Sequence, residues 1–171
     1  MNGLEDFFKS TLDKLQIEYN VYHHEAKFTV EEKEELDREL GIRGKHCKNL
    51  LLCDRKMANF YMYVMPFEKS FRTSVVSKQL GSSRLSFAPE EKLMEKLRCR
   101  SGSLSSLLLI FDEVGEITLG LDKELLDCEE LCFHPAIDTV TITFKTRDYL
   151  EKFLPSIRHT PIIVTDEAIT E

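Results

Sequence analysis

Two apolar runs separated by only a few polar residues most strongly limit the folds open to this chain. The run KNLLLCD begins at Lys48, the run NFYMYVM ends at Met65, and the polar stretch DRKMA joins them. Short runs rich in aromatic and aliphatic residues are typical of strands, and polar turn residues between them indicate a reversal of the chain. The pair therefore predicts two strands of a sheet joined by a turn.

The rest of the chain alternates between helical and strand patterns. Apolar residues between Leu4 and Leu15 mark one face of a first helix, and Thr29 followed by Glu32 has the spacing of a capping box that begins a second. Further helices are predicted at TSVVSKQLG, APEEKLMEKL and TRDYLEKFL. Further strands are predicted at YNVYHH, LLLIF, ITLGLD, TVTITF and PIIVTD, with LLLIF and ITLGLD as a hairpin.

Strands joined by short turns, with helices between groups of strands, predict an α/β fold of the α+β type: a mixed, largely antiparallel β-sheet flanked by helices. We expect residues 1–171 to form a single domain, because no repeat, linker or low-complexity tract divides them. No apolar run approaches the roughly 18–20 residues of a membrane span. The first residues carry acids where a signal peptide has bases, so we expect a cytoplasmic protein.

The charge of the chain is unevenly distributed. The net charge is −7, yet the window from Arg43 to Arg100 holds 13 Lys and Arg against 5 Asp and Glu, a net +8. The remainder holds 10 against 25, a net −15. Chance clustering on a solvated surface is one interpretation. A basic face for a local contact with a polyanion, on an otherwise acidic body, is the other.

Several common catalytic motifs are absent. There is no P-loop, GxGxxG or HExxH, and the serine-rich Gly102–Ser106 lacks the second glycine of a nucleophile elbow. The five cysteines are odd in number and have no disulfide-framework spacing. Cys128, Cys132 and His134 could be drawn as one corner of a zinc site, but no second pair completes four ligands. We therefore predict no metal and no cofactor.

The dipeptide His134-Pro135 precedes the alternating run TVTITF. Proline suits the start of a strand because it has no N–H to lose, while residues at strand ends can also point into a cleft. A lone histidine is more often structural than catalytic, and a lysine beside an apolar strand, such as Lys48, is often a rim residue. Gly102 alone is most often a turn, and Thr141 a strand residue.

Five segments, taken in order, resemble one family: HHEAKFTVEE, GKHCKNLLLCDRK, LGSSRLSFAPEEKL, SGSLSSLLLIFDEVGEITLGLD and FHPAIDTVTITF. Together they are similar to the YbaK/prolyl-tRNA-synthetase-associated editing domain family, and more narrowly to its free-standing ProX (PrdX) branch, which deacylates Ala-tRNA-Pro. The resemblance is strongest over residues 4–155. It implies a metal-independent aminoacyl-tRNA hydrolase that edits in trans. Charged tRNA, with prolyl-tRNA synthetase or an elongation factor, is the implied partner, and no membrane is involved.

The resemblance also implies roles for individual residues. Lys48 matches the strand lysine of the family and is expected to bind the 3′-terminal phosphate or sugar. Gly102 matches its glycine loop, whose backbone N–H groups would face the oxyanion. His134 lies in the FHP segment and would shape the pocket and hydrogen-bond the substrate. The other substrate-binding residues expected on this basis are Phe28, Thr29, Lys45, Ser103, Leu104, Ser105, Ser106, Pro135, Asp138 and Thr141.

Three departures from the family pattern bear on specificity. The loop proline and phenylalanine are replaced by Ser106 and Leu107, the usual asparagine by Asp138, and an expected proline by Glu25. If Ser106 lines the pocket, it enlarges and polarises one wall, and seryl or other small polar groups should be tolerated. Besides Ala-tRNA-Pro, the substrate could be Cys-tRNA-Pro or Ser/Thr-tRNA. A module that binds tRNA or a synthetase without catalysis is the alternative from another class.

Overall fold

Strands between Tyr19 and Val164 form one continuous sheet in the computed structural model, which describes residues 3–165. The two apolar runs are its central antiparallel pair, as predicted. The strands are β1 (Tyr19–His23), β2 (Lys45–Cys53), β3 (Phe60–Pro66), β4 (Ser86–Phe87), β5 (Ile117–Asp122), β6 (Glu130–Phe133), β7 (Val140–Lys145) and β8 (Ile162–Val164). That residues 1–171 form a single domain stays a prediction, since the first two and last six residues lie outside the described range.

The strands lie side by side in the order β1-β7-β6-β2-β3-β5-β8, and β4 also pairs with β2. The pairs β1–β7, β6–β7, β2–β3 and β2–β4 are antiparallel. The pairs β2–β6, β3–β5 and β5–β8 are parallel. The prediction of a mixed, largely antiparallel sheet is confirmed.

Helices cover both faces of this sheet. They are α1 (Gly3–Lys14), α2 (Val30–Leu40), α3 (Thr73–Gln79), α4 (Glu90–Leu97), α5 (Thr146–Asp148) and α6 (Leu154–Ser156), with a π-helical turn (Tyr149–Phe153) between the last two. Consecutive residues of β2 enter different cores: Leu51 packs in the larger one with α1 and α4, and Leu52 in a smaller one under α3. Within residues 3–165, no helix is both long and apolar enough to cross a membrane.

Helix α2 begins where the capping-box spacing predicts. The Glu32 N–H donates to the Thr29 hydroxyl at 3.1 Å, and the Glu32 carboxylate accepts from the Thr29 N–H at 3.1 Å. The same carboxylate oxygen accepts from the Phe28 N–H at 3.1 Å. These backbone donors, that of Phe28 first, lower the pKa of Glu32. The cap therefore also fixes the backbone of Phe28, whose side chain is 71% exposed.

The prediction of a strand at LLLIF was wrong. These residues lie in a 3₁₀-helix (Ser106–Phe111), which Ser105 caps by accepting the Leu107 N–H at 3.3 Å. A short apolar run fits a fully buried helical turn as well as a buried strand, and Leu107 to Leu109 are all buried. The predicted hairpin is therefore absent, and β5 instead pairs in parallel with β3.

The strand β6 was not predicted, and this changes the position of His134-Pro135. The dipeptide follows the carboxyl end of β6, and a turn then leads to β7 at Val140. Four residues, Glu130–Phe133, are too few for an alternating pattern to be recognised. The helix predicted at TRDYLEKFL and the strand predicted at PIIVTD are confirmed, the latter at Ile162–Val164.

Gly44 allows β2 to begin close beside β6. A Cβ placed on Gly44 would lie 2.8 Å from Cys132 Sγ and 3.0 Å from the Leu131 carbonyl carbon. The second contact is with backbone, which cannot rotate away as a side chain can. Gly44 thus permits the short parallel contact that joins the two parts of the sheet.

We expect Gly44→Ala to destabilise the fold by about 1–3 kcal/mol, the usual range for overpacking. The melting temperature should fall by several degrees in a thermal unfolding scan. Gly3→Ala is the matched control, because a Cβ there meets nothing within 4 Å. Equal melting temperatures for the two variants would contradict the proposed close approach.

Candidate functional site

The sheet has an opening along one edge of β2. On this side, β6 pairs with β2 only at Lys45 and His46, and β4 pairs with it only at Leu52 and Cys53. Between these contacts, no strand of the described chain pairs with this edge of β2, whereas β3 pairs with the opposite edge. Every residue of β2 from Lys45 to Leu50 is accordingly part-exposed, although the strand is central in the sheet. The unpaired edge of β2 therefore leaves room for a ligand next to the carboxyl end of β6.

A cleft of about 160 Å³ lies at the end of this opening that is next to β6. Five of the residues expected from the resemblance line it: Phe28, Gly102, His134, Asp138 and Thr141. The residues that sequence reasoning missed are His24, Lys27, Lys33, His46, Cys47, Phe67, Cys132, Phe133 and Val140. The cleft thus combines cations, three imidazoles and one carboxylate with apolar walls.

His134 is a neutral imidazole in this cleft. Burial, with a smaller repulsion from Lys33, lowers its pKa to about 4, so the ring is uncharged at neutral pH. Its Nδ1 atom is inaccessible to solvent and has no hydrogen-bond partner in the described chain. An unpartnered buried polar atom costs free energy, so a ligand that supplied the missing hydrogen bond would gain affinity.

Thr141 holds a second imidazole at the cleft. The Nδ1 atom of His24 lies 2.7 Å from the Glu25 carbonyl, which can only accept, so Nδ1 carries the hydrogen. In the neutral ring, Nε2 then accepts from the Thr141 hydroxyl at 2.7 Å. Thr141 therefore orients His24, and its hydroxyl proton is already engaged.

Lys33 is one of two half-buried lysines at the cleft, the other being Lys27. Its Nζ donates to the Lys27 carbonyl at 3.2 Å and lies 4.6 Å from the centre of the Phe67 ring. Burial lowers its pKa from the usual value, which indicates incomplete charge compensation around the ammonium group. Lys33 also lines an adjoining cavity of about 200 Å³, where His46 Nε2 donates to Asp37 at 2.7 Å. An anionic ligand group in either cavity would be stabilised by Lys33.

The loop around Gly102 leaves one amide available at the cleft. Gly102 has φ +91°, a conformation that favours glycine. Ser101 N–H donates to the Glu90 carboxylate at 2.9 Å, and Ser103 N–H to the Arg100 carbonyl at 3.0 Å. Within residues 3–165, no acceptor bonds to the Gly102 N–H. Its amide is therefore a candidate donor to a ligand oxygen.

Lys48 belongs to the open stretch of β2 but is not among the residues that line the cleft. Its Nζ donates to the Lys69 carbonyl at 2.8 Å, which tethers the segment that carries Phe67 at the cleft wall. To contact a substrate phosphate, Lys48 would have to exchange this bond. Lys45 is ion-paired with Glu68 in the adjoining cavity.

Ser106 does not line the cleft, so the expectation that it enlarges one wall is corrected. Its side chain is completely buried, and its hydroxyl accepts from the Tyr149 hydroxyl at 2.9 Å. Its N–H donates to the Asn49 side chain at 3.2 Å. The reason is the 3₁₀-helix, which directs its first residue into the larger core.

The remaining expected residues surround the cleft without lining it. Thr29 is the helix cap, Ser105 caps the 3₁₀-helix, and Leu104 packs in the larger core. Ser103 holds the turn after Gly102 through its N–H, and Pro135 is buried behind His134. These residues support the loops that form the site.

The two cysteines at the cleft are protonated thiols. Burial raises the pKa of the cleft residue Cys47 to about 12, so it is a thiol at neutral pH. Burial likewise raises the pKa of Cys132. Across residues 3–165, no group of three or more His, Cys, Asp or Glu side chains is placed to hold a metal ion.

Comparisons with known proteins agree with this arrangement. The model of the aminoacyl-tRNA editing domain family matches residues 24–152. The chain is 31% identical over 143 residues to the prolyl-tRNA editing protein ProX of Acetoanaerobium sticklandii, covering 84% of this chain and 85% of that protein. It is 32% identical over 157 residues to the prolyl-tRNA synthetase associated domain-containing protein 1 of Mus musculus, covering 90% of each.

The fold is also similar to that of solved structures. The crystal structure of a proposed trans-editing enzyme for prolyl tRNA synthetase matches with a TM-score of 0.68 and 13% identity, covering 96% of this chain and 98% of that one. At that identity the likeness concerns the fold alone. The family model spans most of the chain and contains the whole cleft, from His24 to Thr141. The chain therefore belongs to the aminoacyl-tRNA editing domain family.

Proposed function

We propose that the cleft hydrolyses the ester bond of mischarged aminoacyl-tRNA in trans, and that Ala-tRNA-Pro is its first candidate substrate. The family supports editing, and the name of the ProX relative supports a prolyl-tRNA substrate. The observation that carries the proposal is the convergence of the Gly102 N–H, the neutral His134 and the cation Lys33 on one small cleft. A free amide, an uncharged hydrogen-bonding ring and a cation suit an ester at the end of a polyanion.

The reaction needs only modest catalysis, because an aminoacyl ester is already activated. Water attacks the ester carbonyl carbon and loses a proton, which gives a tetrahedral oxyanion and supplies the proton that the departing ribose oxygen takes in the next step. The bond to the ribose oxygen then breaks, that oxygen takes a proton, and a free amino acid and an uncharged tRNA result. The Gly102 N–H would donate to the oxyanion, and a preorganised donor of this kind is worth several kcal/mol. His134 would hydrogen-bond the water or a ribose hydroxyl, and the ribose hydroxyl itself would help position the water.

The size of the cleft favours a small aminoacyl group. About 160 Å³ is well below the roughly 300–1,000 Å³ of sites that enclose a drug-sized ligand. We infer that the aminoacyl group enters while the terminal adenosine stays at the rim. There the exposed Phe28 offers a ring face for base stacking. Exclusion of larger side chains would be steric, since additional methylenes contribute only about 1–3 kcal/mol of binding.

Because of Asp138, Cys-tRNA-Pro, Ser/Thr-tRNA and a non-catalytic binding module remain alternatives to Ala-tRNA-Pro. It is an exposed carboxylate at the cleft and would repel a nearby phosphate, which favours weak binding or a different amino acid. It could instead accept from the hydroxyl or ammonium group of the aminoacyl moiety. Cys-tRNA-Pro and Ser/Thr-tRNA therefore belong in the same assay as Ala-tRNA-Pro.

The test is deacylation of tRNA-Pro charged with Ala, Cys, Ser or Pro, and of Ser- and Thr-charged cognate tRNA, with Lys33→Ala and Lys48→Ala alongside. We expect hydrolysis of a small non-cognate ester and survival of Pro-tRNA-Pro. Lys33→Ala should lower kcat/KM at least tenfold, because it removes one of the two lysine charges at the cleft. Lys48→Ala should also impair hydrolysis, because it releases the segment that carries Phe67. Arg38→Ala, an exposed cation on the same helix α2, is the matched control.

Hydrolysis of every ester at equal rates would contradict selection by the cleft. Full activity of Lys33→Ala would remove Lys33 from the site. Binding of tRNA with no turnover of any ester would favour the non-catalytic module.

The half-buried, uncharged ring of His134 predicts a specific dependence of stability on pH. Its folded pKa of about 4 lies below the roughly 6.5 of an unfolded chain, so between these values only the unfolded state binds the proton. Stability is therefore complete above pH 6.5 and is lost as the pH falls toward 4. Between pH 7 and 4.5, wild type should lose at most about 2–3 kcal/mol more unfolding free energy than His134→Gln. Equal losses in denaturant titrations would show that His134 is not buried in its neutral form.

The buried position of Ser106 predicts an effect on stability without an effect on specificity. Ser106→Ala leaves the buried Tyr149 hydroxyl without its acceptor, which should cost about 1–3 kcal/mol. The relative rates on Ala-, Cys- and Ser-charged tRNA should not change. Ser106→Ala/Tyr149→Phe, which removes both partners, should recover part of the stability. A changed substrate preference in Ser106→Ala would place Ser106 in the specificity pocket after all.

A further inference from the structure

One segment of this acidic chain contains no acid at all. Residues 69–89 hold four Lys and Arg and no Asp or Glu, in a chain of net charge −7. The segment comprises the loop after β3, helix α3 and strand β4 with its flanks. We call it the α3 surface. It is a part of the basic window that has no role in the proposed chemistry.

Three of its four cations are exposed and available. Lys69 is neutralised, since its Nζ lies 2.8 Å from the Asp122 carboxylate and 2.7 Å from that of Glu124. Arg72, Lys78 and Arg84 are exposed, and no carboxylate within residues 3–165 forms an ion pair with them. All three side chains are therefore open to solvent without a neutralising carboxylate from this part of the chain.

Two of these cations, Lys78 and Arg84, line a concave site that also carries hydroxyl groups. A cavity of about 530 Å³ is lined by Thr73, Ser74, Ser77, Lys78, Ser82 and Arg84. Ser77 accepts the Leu85 N–H at 2.9 Å, which leaves its own hydroxyl hydrogen free to donate. No carboxylate lines this cavity. Cations and hydroxyl groups without competing acids are the donors that contact phosphate oxygens in nucleic-acid complexes.

Aromatic rings connect the α3 surface to the cleft. Phe87 is 62% exposed, and its ring centre lies 5.6 Å from that of Phe71. Phe87 also lines a groove of about 260 Å³ together with Leu50 and Gly102. Gly102 lines the cleft as well, so groove and cleft meet at this glycine. Basic groups with exposed aromatic rings are typical of surfaces that bind single-stranded nucleic acid.

The distance to the cleft is short. Phe67 lines the cleft and Thr73 lines the α3 cavity, six residues later. Six extended residues span at most about 20–22 Å. A few nucleotides of one RNA strand can bridge such a distance.

We propose that the α3 surface binds the RNA backbone of the substrate tRNA next to its 3′ end, with Phe71 and Phe87 stacking against unpaired bases. This rests on the proposed function, because the cleft is taken to hold the aminoacyl end of the same strand. Affinity for tRNA then comes from contacts with a few phosphates, because the rest of the acidic protein repels the RNA. The cleft selects among the aminoacyl esters. Repulsion from the acidic remainder of the chain restricts the RNA to this side.

The test uses uncharged tRNA-Pro transcript, whose binding requires no catalysis. The triple variant Arg72→Gln/Lys78→Gln/Arg84→Gln should weaken binding at least tenfold in low salt. The slope of log affinity against log salt should become shallower by about 2, since each lost phosphate contact contributes about 0.7–0.9. The matched control is Lys14→Gln/Arg55→Gln/Lys56→Gln, which removes the same charge from exposed cations elsewhere. The control should bind like wild type, and circular dichroism should show both triples folded.

A second substrate separates docking from chemistry. An aminoacyl ester of adenosine alone, which is too short to reach the α3 surface, should be hydrolysed equally by wild type and the α3 triple variant. With full-length charged tRNA, the triple variant should show a raised KM and a nearly unchanged kcat.

The outcomes distinguish the two proposals. Unchanged tRNA affinity in the α3 triple, or an equal loss in the control triple, would overturn RNA docking and leave the α3 surface to a different partner. Absence of tRNA binding by wild type would overturn it as well. Weakened tRNA binding by the α3 triple, with no hydrolysis by wild type, would sustain the docking surface and overturn the proposed function.

Discussion

The open edge of β2 is the constraint on which the rest of the site depends. A sheet is normally continuous across its central strands, because unpaired backbone groups are costly away from water. Here β6 ends after its short contact with β2, and the Gly102 loop with the 3₁₀-helix takes the place of a further strand. The Asn49 side chain accepts from Ser106, and the Leu51 carbonyl accepts from Ala88. These bonds hold the opening without closing it.

The electrostatics of the cleft follow from that opening. The site is enclosed enough to keep His134 neutral and to lower the pKa of Lys33, yet it is open enough to admit a ligand. A neutral ring, a free amide and a poorly compensated cation favour a substrate that brings negative charge and hydrogen-bonding groups. The aminoacylated 3′ end of a tRNA would provide both the negative charge and the hydrogen-bonding groups. On the proposed function, the walls of the cleft alone would then select the aminoacyl group by its size.

Much of the fold could be predicted from sequence, because periodicity and caps are local. The capping box at Thr29 and the strand pair around DRKMA are examples. The 3₁₀-helix at Leu107 and the four residues of β6 could not, since burial on all sides removes the alternation. For the site, the resemblance identified Gly102 and His134 as lining residues. Lys33 lies in the charge-rich run EEKEELDRE, which has the pattern of a solvated helix face, and only the fold brings it to the cleft.

The most direct test of the site is a crystal structure with a 3′-aminoacylamino-adenosine, in which a stable amide replaces the ester. We expect its aminoacyl group to occupy the cleft, with the amide carbonyl oxygen within hydrogen-bond distance of the Gly102 N–H and with His134 Nδ1 hydrogen-bonded. The adenine should lie at the rim near Phe28. Binding elsewhere, for example in the groove between Leu50 and Phe87 with the cleft unoccupied, would contradict the assignment of the site.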